Sequence, residues 1–223
     1  MERSTWLKQI RRQAEERYDI MHAPTYDEYW GVTIFPTHER FFKRFLEMCP
    51  PQAFILDAAC GTGKYWPMIL NSGRTVYGID QSQAMLNIAH AKYPQVTIEK
   101  MGLQEMPYQE AFDAACCMDA MENVFPEDWP LVLDKLQRAI KPAANLYFTV
   151  ELADEKEIEQ ALAAGQEMGM PVVYGEWAHE GGYHYYPRIE QVKEWVQKAQ
   201  FELIDETAGD LYQHFLVRKN PES

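Results

Sequence analysis

The sequence is poor in cysteine, and its cysteines show no metal-ligand spacing. Cys49, Cys60, Cys116 and Cys117 are the four in 223 residues, the last two adjacent within an apolar run. That excludes a disulfide framework and a CxxC zinc site, and it points to reduced thiols and a cytoplasmic protein. Long apolar runs are missing as well. None approaches the ~20 residues that span a bilayer, so no membrane is expected. The N-terminal stretch MERSTWLKQIRRQAEER is charged and carries no apolar signal core. Positive charge is in short supply: Lys and Arg number 21 against 34 Asp and Glu, a formal net charge of -13. Such a surface repels a phosphate backbone, so nucleic acid is not an expected partner. No internal repeat stands out, and no carboxylate cluster suggests a metal. What is present is core-forming material, 47% hydrophobic residues, at a length that suits one substantial domain.

Helical spacing marks residues 5–18 and again 36–48, where Phe41, Phe42, Phe45 and Leu46 recur on one face. Between them, residues 19–33 are rich in Tyr, Trp, Pro and Gly and read as irregular. A regular alternation follows. Strands are expected at 53–59, 75–80, 96–100, 112–118 and 146–151. Helices are expected at 64–71, 82–92, 126–140 and 154–168. This alternation implies a parallel sheet with helices on both faces. Beyond it, 172–177 and 183–186 flank Gly181-Gly182 as a hairpin, and 189–200 is a helix. Strands 201–206 and 211–219 are joined by a Gly-Asp turn too short for a crossover, so the sheet ends with an antiparallel strand.

The first strand runs into ILDAACGTGKYW, residues 55–66. An apolar strand, small residues and glycines, then a helix, are how a parallel sheet receives a nucleotide-like ligand. A dinucleotide fingerprint fails because Trp66 stands at the third glycine. A Walker loop fails twice, at Ala58 and Tyr65. A nucleoside ligand without phosphates survives. The second strand ends on Asp80, 23 positions after Asp57, where a carboxylate can accept both hydroxyls of a ribose.

These residues resemble the class I S-adenosylmethionine-dependent methyltransferases. Asp57-Ala58-Ala59-Cys60-Gly61-Thr62-Gly63 is similar to the family's first motif, and Asp80-Gln81-Ser82-Gln83-Ala84-Met85-Leu86 to its second-strand motif. Gln104-Glu105-Met106-Pro107-Tyr108, Phe112-Asp113 and Lys141-Pro142 follow in order, and the resemblance spans roughly residues 35–219. Three positions depart from it. Ala59 stands where glycine is common, which suits alanine if φ stays negative. Ala143-Ala144 replaces a Gly-Gly turn, and Asn123 replaces a frequent His.

The resemblance implies a Rossmann-like, seven-stranded, mainly parallel sheet with one antiparallel strand. Residues 1–35 are a helix and lid segment, and 36–223 the methyltransferase domain, with an insertion near 170–187 capping the pocket. It implies S-adenosylmethionine as cofactor, held by Asp57, Ala59, Gly61, Thr62, Gly63, Asp80, Gln81, Met85, Leu103, Gln104, Met118 and Asp119. Asp119 and His184 are the catalytic candidates. Tyr18, Tyr26, Tyr29 and Trp30 in the lid, with His179 and Tyr186 in the insertion, are the candidate acceptor contacts. The expected reaction is methyl transfer to an O or N atom of a small molecule, by a monomer or homodimer. A protein acceptor, and a non-catalytic cofactor-binding module serving a partner protein, stay open. The aromatic residues suit an aromatic acceptor or a cationic amine, and the sequence does not choose between them.

Overall fold

The computed structural model describes residues 1–221. Seven strands form the main sheet: β1 (Phe54–Ala58), β2 (Thr75–Asp80), β3 (Thr97–Lys100), β4 (Phe112–Cys117), β5 (Ile140–Glu151), β8 (Phe201–Gly209) and β9 (Tyr212–Lys219). Their order is β3-β2-β1-β4-β5-β9-β8. β1 to β5 pair in parallel, and β9 runs antiparallel to both β5 and β8. β6 (Glu176–His179) and β7 (Gly182–Tyr185) form a separate hairpin. The expected fold class is the observed one.

The strands are apolar on both faces because both faces are covered. Leu56, Ala115, Cys117, Phe148 and Phe215 belong to one core layer; Ile55, Ala114, Cys116, Tyr147 and Leu216 belong to the other. That is the period-two alternation of a pleated strand. The first layer packs under α1 (Arg3–Arg17), α6 (Trp129–Ala139) and α8 (Ile189–Lys198) through Trp6, Leu133 and Val192. The second packs under α3 (Pro36–Met48), α4 (Trp66–Asn71) and α5 (Gln83–Lys92) through Phe42, Trp66 and Leu86. α7 (Glu155–Glu167) is capped by Asp154, which accepts from the Lys156 and Glu157 N–H groups. Among the described residues, no helix is long and apolar enough to cross a membrane.

Three local expectations are corrected. Residues 19–33 are largely helical: a π turn (Tyr18–His22), a 3₁₀ turn (Ala23–Thr25) and a single α turn, α2 (Tyr26–Tyr29), prolong α1. Asp19 fixes this path by bonding the Ser82 hydroxyl at 2.6 Å and the Ala84 N–H at 3.0 Å. β5 begins at Ile140 rather than at residue 146, because Phe112 pairs with Ile140 before a bulge resets the register. The hairpin turns are Glu180-Gly181 and Asp210-Leu211, all at positive φ, as tight two-residue turns require.

Candidate active site

The strand order reverses between β1 and β4, and there the C-terminal strand ends open into a cavity of about 890 Å³, mouth included. Open α/β sheets bind ligands at this point. Each wall comes from the turn after a strand. β1 supplies Asp57 and the glycine loop, β2 supplies Asp80 and Gln81, the turn after β3 supplies Leu103 and Gln104, and the end of β4 supplies Met118 and Asp119. Met85 reaches in from α5, and Tyr18 and Tyr26 form the roof.

The glycine loop divides its labour. Ala59 has φ +63, so the condition under which alanine suits this position is not met. Such a backbone costs a non-glycine residue about 1–3 kcal/mol and persists only when its surroundings enforce it. Here the Cys60 N–H bonds the Ile79 carbonyl and the Gly63 N–H bonds the Cys60 carbonyl, both at 2.9 Å. Gly61 has φ +52 and a Cβ placed on it would meet nothing within 4 Å; the space in front of it is open cavity. Gly63 faces the protein instead. A Cβ there would lie 2.7 Å from the Trp66 ring. Thr62 is buried, and its hydroxyl donates to Asp27 at 2.5 Å. Neither Thr62 nor Gly63 lines the cavity. Both tie the loop to its neighbours.

Asp57 is buried with one oxygen accepting from Trp66 Nε1 at 2.8 Å and the other facing Cys116 Sγ at 3.4 Å. Burial pushes its pKa up to about 7, against the hydrogen bonds and reinforced by the charges of Asp80 and Asp119. Burial also raises Asp80, while the N–H groups of Ser82 and Gly61 oppose the rise. Those two N–H groups bond different carboxylate oxygens at 2.8 Å each. The Gln81 N–H also favours the carboxylate, which leaves capacity for a further donor from a ligand.

Asp119 sits at φ +52 and is saturated with donors. Oδ1 is bonded by His38 Nε2 at 2.9 Å and the Thr149 hydroxyl at 3.3 Å; Oδ2 is bonded by the Tyr65 hydroxyl at 2.8 Å and Lys64 Nζ at 3.3 Å. Burial alone would raise its pKa. The His38 hydrogen bond and charge, with Lys64 and Tyr65, hold it instead at about 2. An anion with its lone pairs committed is a poor proton acceptor, so the geometry weighs against Asp119 as a general base. The sequence reading missed His38, Lys64 and Tyr65. The available signal was a histidine on the apolar stripe of α3, at helical spacing from Phe41, Phe42 and Phe45.

The remaining candidates lie outside the cavity wall. Tyr29 is 64% exposed and Trp30 58% exposed. Trp30 and Gly31 both return their N–H to the Tyr26 carbonyl, which ends the helix and turns the chain outward. His179 is exposed at the hairpin tip beside Glu180. His184 Nδ1 bonds Glu151 at 2.6 Å, with the Tyr186 hydroxyl 3.2 Å from the same nitrogen. Tyr183 and Tyr185, on the opposite hairpin face, are core residues.

Residues 55–143, the stretch holding the first four strands and the turns that wall the cavity, match the methyltransferase domain family. An uncharacterized methyltransferase of Oceanobacillus iheyensis is 25% identical over 198 residues, covering 84% of this chain and 89% of that protein. These matches support S-adenosylmethionine-dependent methyltransferase activity, carried by a methyltransferase domain at residues 55–143. A second relative, the ubiquinone biosynthesis O-methyltransferase of Acinetobacter baylyi, is 26% identical over 176 residues, 74% of this chain and 71% of its own length. The solved 1,6-didemethyltoxoflavin-N1-methyltransferase of Burkholderia thailandensis shares the fold at 15% identity, with TM-score 0.70 over 99% of this chain and 91% of that one.

The methyltransferase's cofactor is S-adenosylmethionine, and the cavity fits it. Asp80 lines the cavity with remaining acceptor capacity for a ribose hydroxyl. Gly61 leaves a cradle that any side chain would fill. Lys64 brings a positive charge to the cavity wall, where it pairs with Asp119.

Proposed function

We propose that this methyltransferase moves the methyl group to an oxygen or nitrogen atom of a small molecule. The observation that carries this reading is the roof. Tyr18 and Tyr26 close the cavity from the N-terminal segment, and that segment is fastened to the cofactor-side turns. Asp27 bonds Thr62 at 2.5 Å and Lys92 at 2.7 Å, and Asp19 bonds the cap of α5. A lid latched over the cavity favours a compact acceptor over a folded protein surface. The relatives point the same way: one is named an O-methyltransferase of ubiquinone biosynthesis, another an N1-methyltransferase of a small heterocycle.

In this reading Asp80 holds the ribose and Lys64 the amino-acid carboxylate. Gln81, Met85, Leu103 and Gln104 frame the adenine. Met118 and Asp119 stand at the methyl-bearing end. The bound cofactor supplies a methyl already activated by its sulfonium, so the chain's task is to align an acceptor lone pair in line and exclude water. Positioning of that kind is worth about 7–11 kcal/mol of barrier. His184, held by Glu151 on the hairpin, is a rim residue in this arrangement.

The test is methyl transfer from isotope-labelled S-adenosylmethionine into a low-molecular-weight cell extract and, separately, into the protein fraction. Label in a small molecule, lost in Asp80→Ala, is the expected result. Label confined to protein would overturn the small-molecule assignment. A bound cofactor with no label in either fraction would favour the non-catalytic module.

A further inference from the structure

We propose that His38 is a positioning residue for methyl transfer: from α3 it holds the Asp119 carboxylate in the pose that fixes Lys64 and Tyr65 in the cavity wall. The inference rests on the reading that places Asp119 at the methyl-bearing end, and it holds whichever acceptor enters.

Asp119 joins the two sides of the reversal point. It follows β4, and its Oδ2 accepts from the Tyr65 hydroxyl at 2.8 Å and from Lys64 Nζ at 3.3 Å, both in the turn after β1. Asp119, Lys64 and Tyr65 all line the cavity. One carboxylate therefore links the turns after β1 and β4 and sets the direction of two side chains between them. Oδ2 stays aimed there only while Oδ1 is held from behind. His38 Nε2 holds it at 2.9 Å, and the Thr149 hydroxyl more loosely at 3.3 Å. The same hydroxyl accepts the Asp119 N–H at 2.7 Å. Thr149 thus fixes the backbone of Asp119, and His38 fixes the carboxylate.

His38 is itself held firmly. Its ring is fully buried and stands edge-on to Tyr212 at 5.1 Å and to His214 at 4.5 Å, both on β9. The Thr37 N–H bonds Asp210 at 2.6 Å, which ties the start of α3 to the β8–β9 turn. Packing does not explain a histidine at this position. It lies on the apolar stripe of Phe41, Phe42 and Phe45. Among the described residues its Nδ1 has no hydrogen-bond partner, with Asp210 Oδ2 3.9 Å away. An apolar side chain would complete the stripe without leaving a buried nitrogen unpaired. It could not donate to Asp119. In-line transfer is sensitive to such support, because a misplacement of about 1 Å can cost about a hundredfold in rate.

The test compares two amides. In His38→Gln the amide nitrogen takes the place of Nε2. In His38→Asn it takes the place of Nδ1 and faces Asp210 instead of Asp119. The parent, both variants and Asp119→Asn are titrated with S-adenosylhomocysteine. Each is then assayed for the initial rate of label transfer from S-adenosylmethionine into unfractionated cell extract. His38→Asn is expected to be at least about tenfold slower than the parent and His38→Gln within about threefold of it, both keeping S-adenosylhomocysteine affinity within about threefold. The positioning role is overturned if His38→Asn transfers label at the parent rate, if both His38 variants lose rate equally, or if affinity falls as far as rate. A tenfold loss in His38→Gln overturns it even where His38→Asn is too unstable to assay. An undiminished rate in Asp119→Asn instead overturns the placement of Asp119 on which the inference rests.

Discussion

Replacing Asp119 with Asn isolates the charge at the centre of the site. Both residue types tolerate the left-handed backbone that Asp119 adopts at φ +52, so the change adds little backbone strain. What is lost is a carboxylate holding four donors, and Asn turns an N–H₂ toward one pair of them. Burial opposes ionisation, but His38, Lys64 and Tyr65 together hold the pKa at about 2 against 3.8 for the free side chain. A depression of nearly two units corresponds to about 2–3 kcal/mol of folding stability. Because the folded value is the lower one, that stability is present above pH ~4 and is lost as pH falls toward 2. For a chain of this size each kcal/mol moves Tm by about 2–4 °C, so Asp119→Asn should melt roughly 5–10 °C lower at neutral pH. The deficit should be constant from pH 5 to 8 and should shrink below pH 4. Scanning calorimetry of both proteins across that range is the assay. An unchanged Tm at pH 7, or a deficit that does not diminish in acid, would refute the hub.

Asp57 should show the opposite sign. Its folded pKa is raised to about 7 by burial, so its stabilising protonated state is fully present below pH ~4 and is lost as pH rises through 7, on the order of 4 kcal/mol at most. Urea midpoints of the ligand-free protein should fall between pH 5 and 8, and Asp57→Asn should flatten that slope; parallel slopes would contradict it. Gly63→Ala sets a Cβ 2.7 Å from the Trp66 ring at φ +79 and should lower stability by about 2–4 kcal/mol, with altered tryptophan fluorescence. Gly61→Ala meets no protein atom, so it should cost only about 1 kcal/mol of stability while blocking S-adenosylhomocysteine; equal losses in the two variants would erase the distinction. Asp27→Ala removes the partly exposed contacts to Thr62 and Lys92, costing about 1 kcal/mol or less. Stopped-flow release of S-adenosylhomocysteine should nonetheless quicken several-fold, and an unchanged release rate would mean that the lid does not gate.

The sheet was legible in sequence because its strands are buried on both faces and punctuated by Gly, Pro and acids at their ends. Asp80 and the turns after β2 and β3 followed from that punctuation, since a strand end fixes which residues reach the ligand edge. The direction of individual loop side chains was not legible. Thr62 and Gly63 turn toward Asp27 and Trp66, partners far away in sequence or set by the loop's own left-handed residues. Ala59 at φ +63 breaks the local preference of alanine, and the hydrogen bonds that force it come from the fold. His38 reaches Asp119 across 81 positions, a contact that α3 makes only once it is docked on β5 and β9. In the segment after α1 the aromatic composition was read as irregular, and Asp19 and Asp27, which hold that segment down, carried no pattern of their own.

Calorimetric titration of the ligand-free protein and of Asp80→Asn with S-adenosylmethionine, S-adenosylhomocysteine and NAD is the most direct measurement. Micromolar binding of the first two to the parent protein, none of NAD, and at least about a tenfold loss in Asp80→Asn is the result expected of a ribose held by Asp80 at the reversal point of the sheet. Binding of NAD in preference, or of neither adenosyl ligand by a folded sample, would contradict it.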